Sequence, residues 1–173
     1  MPMPPRLRKT ALTAHITTSL AWLGAVTSFV ALAVVGLTTT DPGRAHAAYT
    51  ANDIITTAVI VPLAFASLTT GIIQSAGTTW GLLRHYWVLA KTILTVPATG
   101  VLLLHTGPIA ALADPANVTA LAAGQLRGLQ IQVLTDAGAA IVVLLVTTAL
   151  ATFKPRGMTG YGYRRTLRQP TPA

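Results

Sequence analysis

Apolar positions dominate the chain in four long runs, and the polar residues collect between them. The runs cover Ala11–Thr38, Ile54–Leu83, Tyr86–Leu104 and Gly128–Phe153. A helix needs about 20 mainly apolar residues to cross the hydrocarbon core of a bilayer. His15 is the lone ionisable residue of the first run, and the second run has none. Lys91 interrupts the third and Asp136 the fourth. The second run is longer than a crossing needs, so its helix is expected to end near Gly77. The pattern lacks the apolar/polar alternation of a membrane barrel. It predicts an all-α polytopic membrane protein, an up-down bundle of four transmembrane helices. The expected spans are about residues 11–38, 54–77, 86–106 and 128–153. The membrane domain then covers residues 1–153, and a basic tail covers 154–173.

Charge sets a direction. With the N-terminus inside, the cytoplasmic side holds Arg6, Arg8, Lys9, Arg84, Lys91, Lys154, Arg156, Arg164, Arg165 and Arg168. The outside holds Arg44 and Arg127. This bias places both termini in the cytoplasm. It also predicts an anionic lipid bilayer as the partner of the basic residues, and no nucleic acid. Trp80, Arg84 and Trp87 read as anchors at the lipid interface. The first run far exceeds a signal-peptide core of roughly 7–15 residues, so it reads as a span. Residues 39–53 and 106–127 are expected as outer loops, with 118–126 lying on the outer surface or extending the fourth helix. The basic tail, rich in Gly and Pro, is expected to be partly mobile.

Composition narrows the chemistry. Of 173 residues 52% are hydrophobic and 9% charged, against roughly 25% charged in a soluble domain. There is no cysteine and no glutamate, which excludes thiolate chemistry and argues against a hydrolase or a divalent-metal enzyme. No nucleotide loop, zincin motif or serine elbow is present. The chain therefore reads as a non-enzyme.

Three groups of residues remain as candidates. His15 and His85 sit near the inner face on different helices, where two imidazoles could hold a haem b iron. Asp136 is the sharpest intramembrane polar residue, with Lys91 as a candidate partner from the opposite side. His46, His105 and Asp53 form a looser metal set near the outer face. Pro62 and Pro97 are expected to kink their helices. Gly124 and Gly128 make a Gly-x-x-x-Gly pair suited to close helix contact.

The segment Gly71-Ile72-Ile73-Gln74-Ser75-Ala76-Gly77-Thr78-Thr79-Trp80-Gly81-Leu82-Leu83-Arg84-His85-Tyr86-Trp87-Val88-Leu89-Ala90-Lys91, with Lys154–Gly162, resembles a family of small four-helix membrane proteins of actinobacteria. His15 with Trp22-Leu23-Gly24 is similar, over one helix, to copper-resistance D-like membrane proteins. The first resemblance covers about residues 15–162. It implies a multi-pass fold in the bacterial cell membrane and carries no activity with it. The sequence alone thus points first to an accessory or interaction subunit, as a homo-oligomer or beside a larger membrane protein. A haem-binding electron carrier using His15 and His85, and a small transporter or proton path through Asp136, are the alternatives.

Overall fold

The computed structural model describes residues 3–77 and 81–167, the last three by backbone alone. The described residues are helical, with no strand among them. α1 spans Pro5–Thr38. α2 (Pro42–Ile55) runs through a π-helical turn (Thr56–Ile60) into α3 (Val61–Ala76). α4 covers Tyr86–Ala113, α5 Val118–Ala122, α6 Arg127–Phe153 and α7 Gly160–Leu167. Four of these stretches are long and apolar enough to cross a membrane: Pro5–Thr38, Pro42–Ala76, Tyr86–Ala113 and Arg127–Phe153.

Threonine is common in these helices, and the structure shows why it is tolerated. Thr18, Thr27 and Thr38 donate to the carbonyls of Ala14, Leu23 and Val34, four residues back. Each hydroxyl is satisfied on its own helix, so it can face an apolar neighbour without an orphaned donor.

Residues 39–53, expected as an outer loop, are mostly helical. Asp41 caps α2, its Oδ1 accepting from the Gly43 N–H at 2.9 Å, and Pro42 opens the first turn. That pairing of an Asx cap with proline is a helix start. Ala45, Ala48, Tyr49, Asn52 and Thr56 are buried, a spacing of three and four that keeps one face on the core. The combined helix of 35 residues is about 52 Å long, well beyond the roughly 30 Å hydrocarbon core.

Two prolines act differently from one another. Pro62 has no N–H and its ring crowds the carbonyl four residues back. The chain widens just before it, and the Val61 N–H donates to Thr56 O, five residues back. Pro108 lies inside α4, which continues past the expected end near residue 106 to Ala113. Ile109 and Leu112 are buried beyond it, so packing overrides the local break.

The core joins Trp22, Val26, Phe29 and Ala33 of α1 to Tyr49, Ile60, Ile109, Val133 and Leu144. Tyr49 is fully buried against Gly36, where an added Cβ would meet its ring at 2.6 Å. Both described terminal segments return to one end. The Met3 N–H donates to Gly77 O, and Thr159 bonds Arg84 O through its own N–H at 2.9 Å. This end is called proximal below, and the opposite end distal. The tail, expected to be mobile, forms α7, with Gly162 pressed so closely on Arg84 that a Cβ would run into its carbonyl.

Residues 118–126 do not extend the fourth helix. α5 ends at Ala122 and Gly124 turns the chain at φ +73° before α6 begins. Around Gly124 and Gly128 an added Cβ would meet nothing within 4 Å, so this glycine pair makes no close helix contact within the chain.

Candidate functional site

α4 and α6 bring His105 and Asp136 together in the distal half. His105 lies eight residues before the end of α4 and Asp136 nine after the start of α6. At 1.5 Å per residue these are about 12 Å and about 13.5 Å from the distal ends, so the two side chains share a depth. His105 Nε2 is 2.7 Å from Asp136 Oδ2. The contact is short but bent away from a good hydrogen-bond line, and Oδ2 has no other partner. His105 Nδ1 lies 2.8 Å from Val101 O. A carbonyl only accepts, so Nδ1 carries a proton. Nε2 faces the carboxylate oxygen at 2.7 Å, an ion-pair contact when the imidazole also carries a proton there. Gln132 Nε2 sits 3.2 Å from the same His105 nitrogen.

The pair stands in the wall of a cavity of about 80 Å³ between α1, the π-helical turn, α4 and α6. Trp22, Phe29, Thr56 and Ala140 are among the other residues around it. Trp22 is 3% exposed and its Nε1–H has no partner. Thr56 Oγ1 donates to Asn52 O at 2.7 Å. The pair itself is less enclosed, with side-chain exposure of 20% for His105 and 35% for Asp136.

A second, more polar cavity of about 310 Å³ lies at the distal end, lined by Gly36, Thr40, Asp41, Arg127 and Gln130 among others. Arg127 donates to Leu37 O at 2.8 Å and fixes the start of α6 to the end of α1. Gln130 reaches Gly36 O at 3.4 Å and faces the Tyr49 hydroxyl, without a bond of good geometry to it.

The proximal half is polar in another way. His15 Nδ1 lies 3.2 Å from both Ser67 O and Thr70 Oγ1. Ser19 and Ser67 share a hydroxyl bond at 2.8 Å, and Thr18 and Thr70 one at 3.4 Å. These pairs make a ladder between α1 and α3 that starts one turn from Trp22 and ends at His15. The Lys91 ammonium acts electrostatically on the His15 ring, so it belongs to this end.

The candidates fall into place unevenly. Asp136 does not meet Lys91; its partner is His105, because Lys91 is on the proximal part of α4 and His105 on the distal part. His46 is on a helix rather than a loop, with Nε2 2.9 Å from Ala113 O. The set of His46, His105 and Asp53 is not assembled, and no group of three or more metal-ligating side chains occurs among the described residues. His15 rests its ring on Gly71, 3.0 Å from the position of an added Cβ, which leaves no room for a flat macrocycle on that side. His85 is buried just before α4, and its backbone pairs with Met158 of the tail. Trp87 is half-buried and the Arg84 carbonyl holds the tail, so both belong to the inter-segment packing of the proximal end. Trp80 and Arg168 lie outside the described residues.

The His105–Asp136 pair was within reach of the sequence. A third span that ends near residue 106 puts His105 at the outer surface, away from Asp136 inside the fourth. Carrying the helix through Pro108 gives the matched depth. No family model, no curated protein and no solved structure matches the chain.

Proposed function

We propose that this is a non-enzymatic, multi-pass protein of the bacterial cell membrane that takes up and passes protons through His105 and Asp136. In this reading the four long helices run up and down across the bilayer. The proximal end, with both described terminal segments and nine of the chain's twelve basic residues, faces the cytoplasm. The observation that carries the reading is the 2.7 Å contact between two titratable groups of which one nitrogen is already committed to Val101 O. Ionisable residues within membrane helices are costly, pair with one another, and mark ion pathways and proton relays. The hydroxyl ladder toward His15 and Lys91 supports a route to the other end. The test is proton uptake into liposomes driven by a potassium diffusion potential and followed with an enclosed pH dye. Protein-dependent uptake that falls at least tenfold in Asp136→Asn and in His105→Ala is expected. Uptake equal to that of protein-free liposomes overturns the reading.

The exposure of Asp136 favours a second reading, an accessory subunit. A carboxyl group 35% exposed on the α4–α6 seam would meet lipid chains in a lone bundle, and a covering partner or second copy removes that cost. Gentle solubilisation and sizing tests it: a stable assembly supports the reading, and a lone monomer contradicts it. A haem held by His15 and His85 is the third reading, supported by their two helices alone, and a Soret band lost in His15→Ala would establish it.

A further inference from the structure

We propose that the cavity beside His105 and Asp136 binds a lipid-soluble ring compound bearing a carbonyl oxygen, of the quinone kind. The inference rests on the reading of that pair as the working site and names what the site takes.

The shape of the wall comes first. Most of the surrounding side chains are apolar, among them Val26, Phe29 and Leu144. One water needs roughly 10–15 Å³ of such space and two to four polar partners. The cavity offers about 80 Å³ with few polar partners for water, roughly half the space that encloses a benzene ring, so a ring seats with its edge inside and its remainder in the open α4–α6 seam. An apolar body therefore suits it better than a water cluster.

The polar groups decide the head. The Trp22 indole can only donate, and its N–H is buried with no partner. His105 and Asp136 face each other at 2.7 Å and supply the polar side of the cavity. Thr56 is committed to Asn52 O. The orphaned Trp22 N–H thus calls for an acceptor, and a carbonyl oxygen on an apolar frame is the simplest one. An orphaned buried donor costs about 1–3 kcal/mol, and a ligand acceptor relieves it. Trp22 and Phe29 supply flat faces for a ring.

Access comes from the seam between α4 and α6. Val101 is 45% exposed there beside the half-open pair, while small side chains such as Ala98, Ala137 and Ala140 leave space between the helices. In a bilayer that seam faces the acyl chains, so the ligand arrives from the lipid phase.

The experiment uses the full chain in nanodiscs with Trp80→Phe and Trp87→Phe, so that fluorescence reports Trp22 alone. Menadione is the probe, and the absence of cysteine in the chain removes its usual thiol reaction. Saturable quenching is expected, weakened at least tenfold by Ala140→Phe, which fills the cavity. If that variant does not fold, Ala98→Leu narrows the cavity from α4 and is read in the same way. Naphthalene, with the ring but no carbonyl, is expected to bind roughly tenfold more weakly. Quenching that rises without saturation, equally in the filled variant, overturns the proposal. Naphthalene binding as tightly as menadione overturns its carbonyl part. Saturable, cavity-dependent binding by protein that passes no protons upholds the ligand site and refutes the proton reading. Proton flux without saturable quenching refutes the ligand site alone.

Discussion

The two halves of the bundle use polar residues in opposite ways. In the proximal half, hydroxyls meet hydroxyls and carbonyls: Ser19 with Ser67, Thr18 with Thr70, Thr159 with the Leu83 and Arg84 carbonyls. Those groups are neutral, and Thr18 and Thr70 have a second bond on their own helices. In the distal half, polar groups stand among large apolar side chains with fewer partners. Tyr49 hydroxyl, the Asn52 amide, the Trp22 indole and Asp136 Oδ2 are all buried there without a good hydrogen bond. Satisfied polar groups hold helices together; unsatisfied buried ones signal strain or a role beyond packing. The two ends therefore offer different polar environments, one closed by hydroxyl bonds and one with buried groups left over.

Substitutions can break that division. The largest effect is expected from Tyr49→Ala, which removes the fully buried ring that Gly36 accommodates. Deleting a buried aromatic costs about 3–5 kcal/mol, read as a large drop in Tm in detergent. A small change would mean that the distal core is not organised around this ring. Next comes His105→Ala. It strands the Asp136 carboxyl, and breaking a buried pair costs about 3–5 kcal/mol. Partial exposure lowers this to about 1–3 kcal/mol. Asp136→Asn combined with it should restore part of the loss, and the double-mutant cycle measures the coupling. Additive effects would show that the two groups do not act together.

The proximal substitutions sharpen the contrast. Gly162→Ala pushes α7 off the Arg84 carbonyl at about 1 kcal/mol, the low end for overpacking, because the helix can move away. Faster proteolysis between residues 154 and 160, with unchanged unfolding of the long helices, is the expected result. Ser19→Ala should have the smallest effect, about 0.6 kcal/mol, typical of a hydrogen bond between membrane helices. A loss above 2 kcal/mol would make the ladder a structural keystone and remove the asymmetry.

The four long helices were legible in the sequence because hydropathy registers length and charge directly. Their distal ends were not. Asp41-Pro42 is a helix start, and Ala45, Ala48, Tyr49 and Asn52 repeat at helical spacing, but the polar content of residues 39–53 reads as loop. A membrane threshold cannot see a helix that continues beyond the bilayer. Pro108 hid the end of α4 in the same way, and with it the depth of His105. The pairing of His105 with Asp136 follows from the second of these alone. The seating of His15 on Gly71, the docking of α7 through Thr159 and the cavity itself are tertiary contacts with no local signature.

The most direct test of the account is infrared difference spectroscopy of the carboxyl C=O stretch as the membrane-embedded protein is taken from neutral to acid pH. The account predicts a carboxylic-acid band that vanishes in Asp136→Asn and shifts in frequency in His105→Ala, because the imidazole lies 2.7 Å from Oδ2. A band unaffected by either substitution, or one lost in Asp136→Asn but identical in His105→Ala, would contradict it.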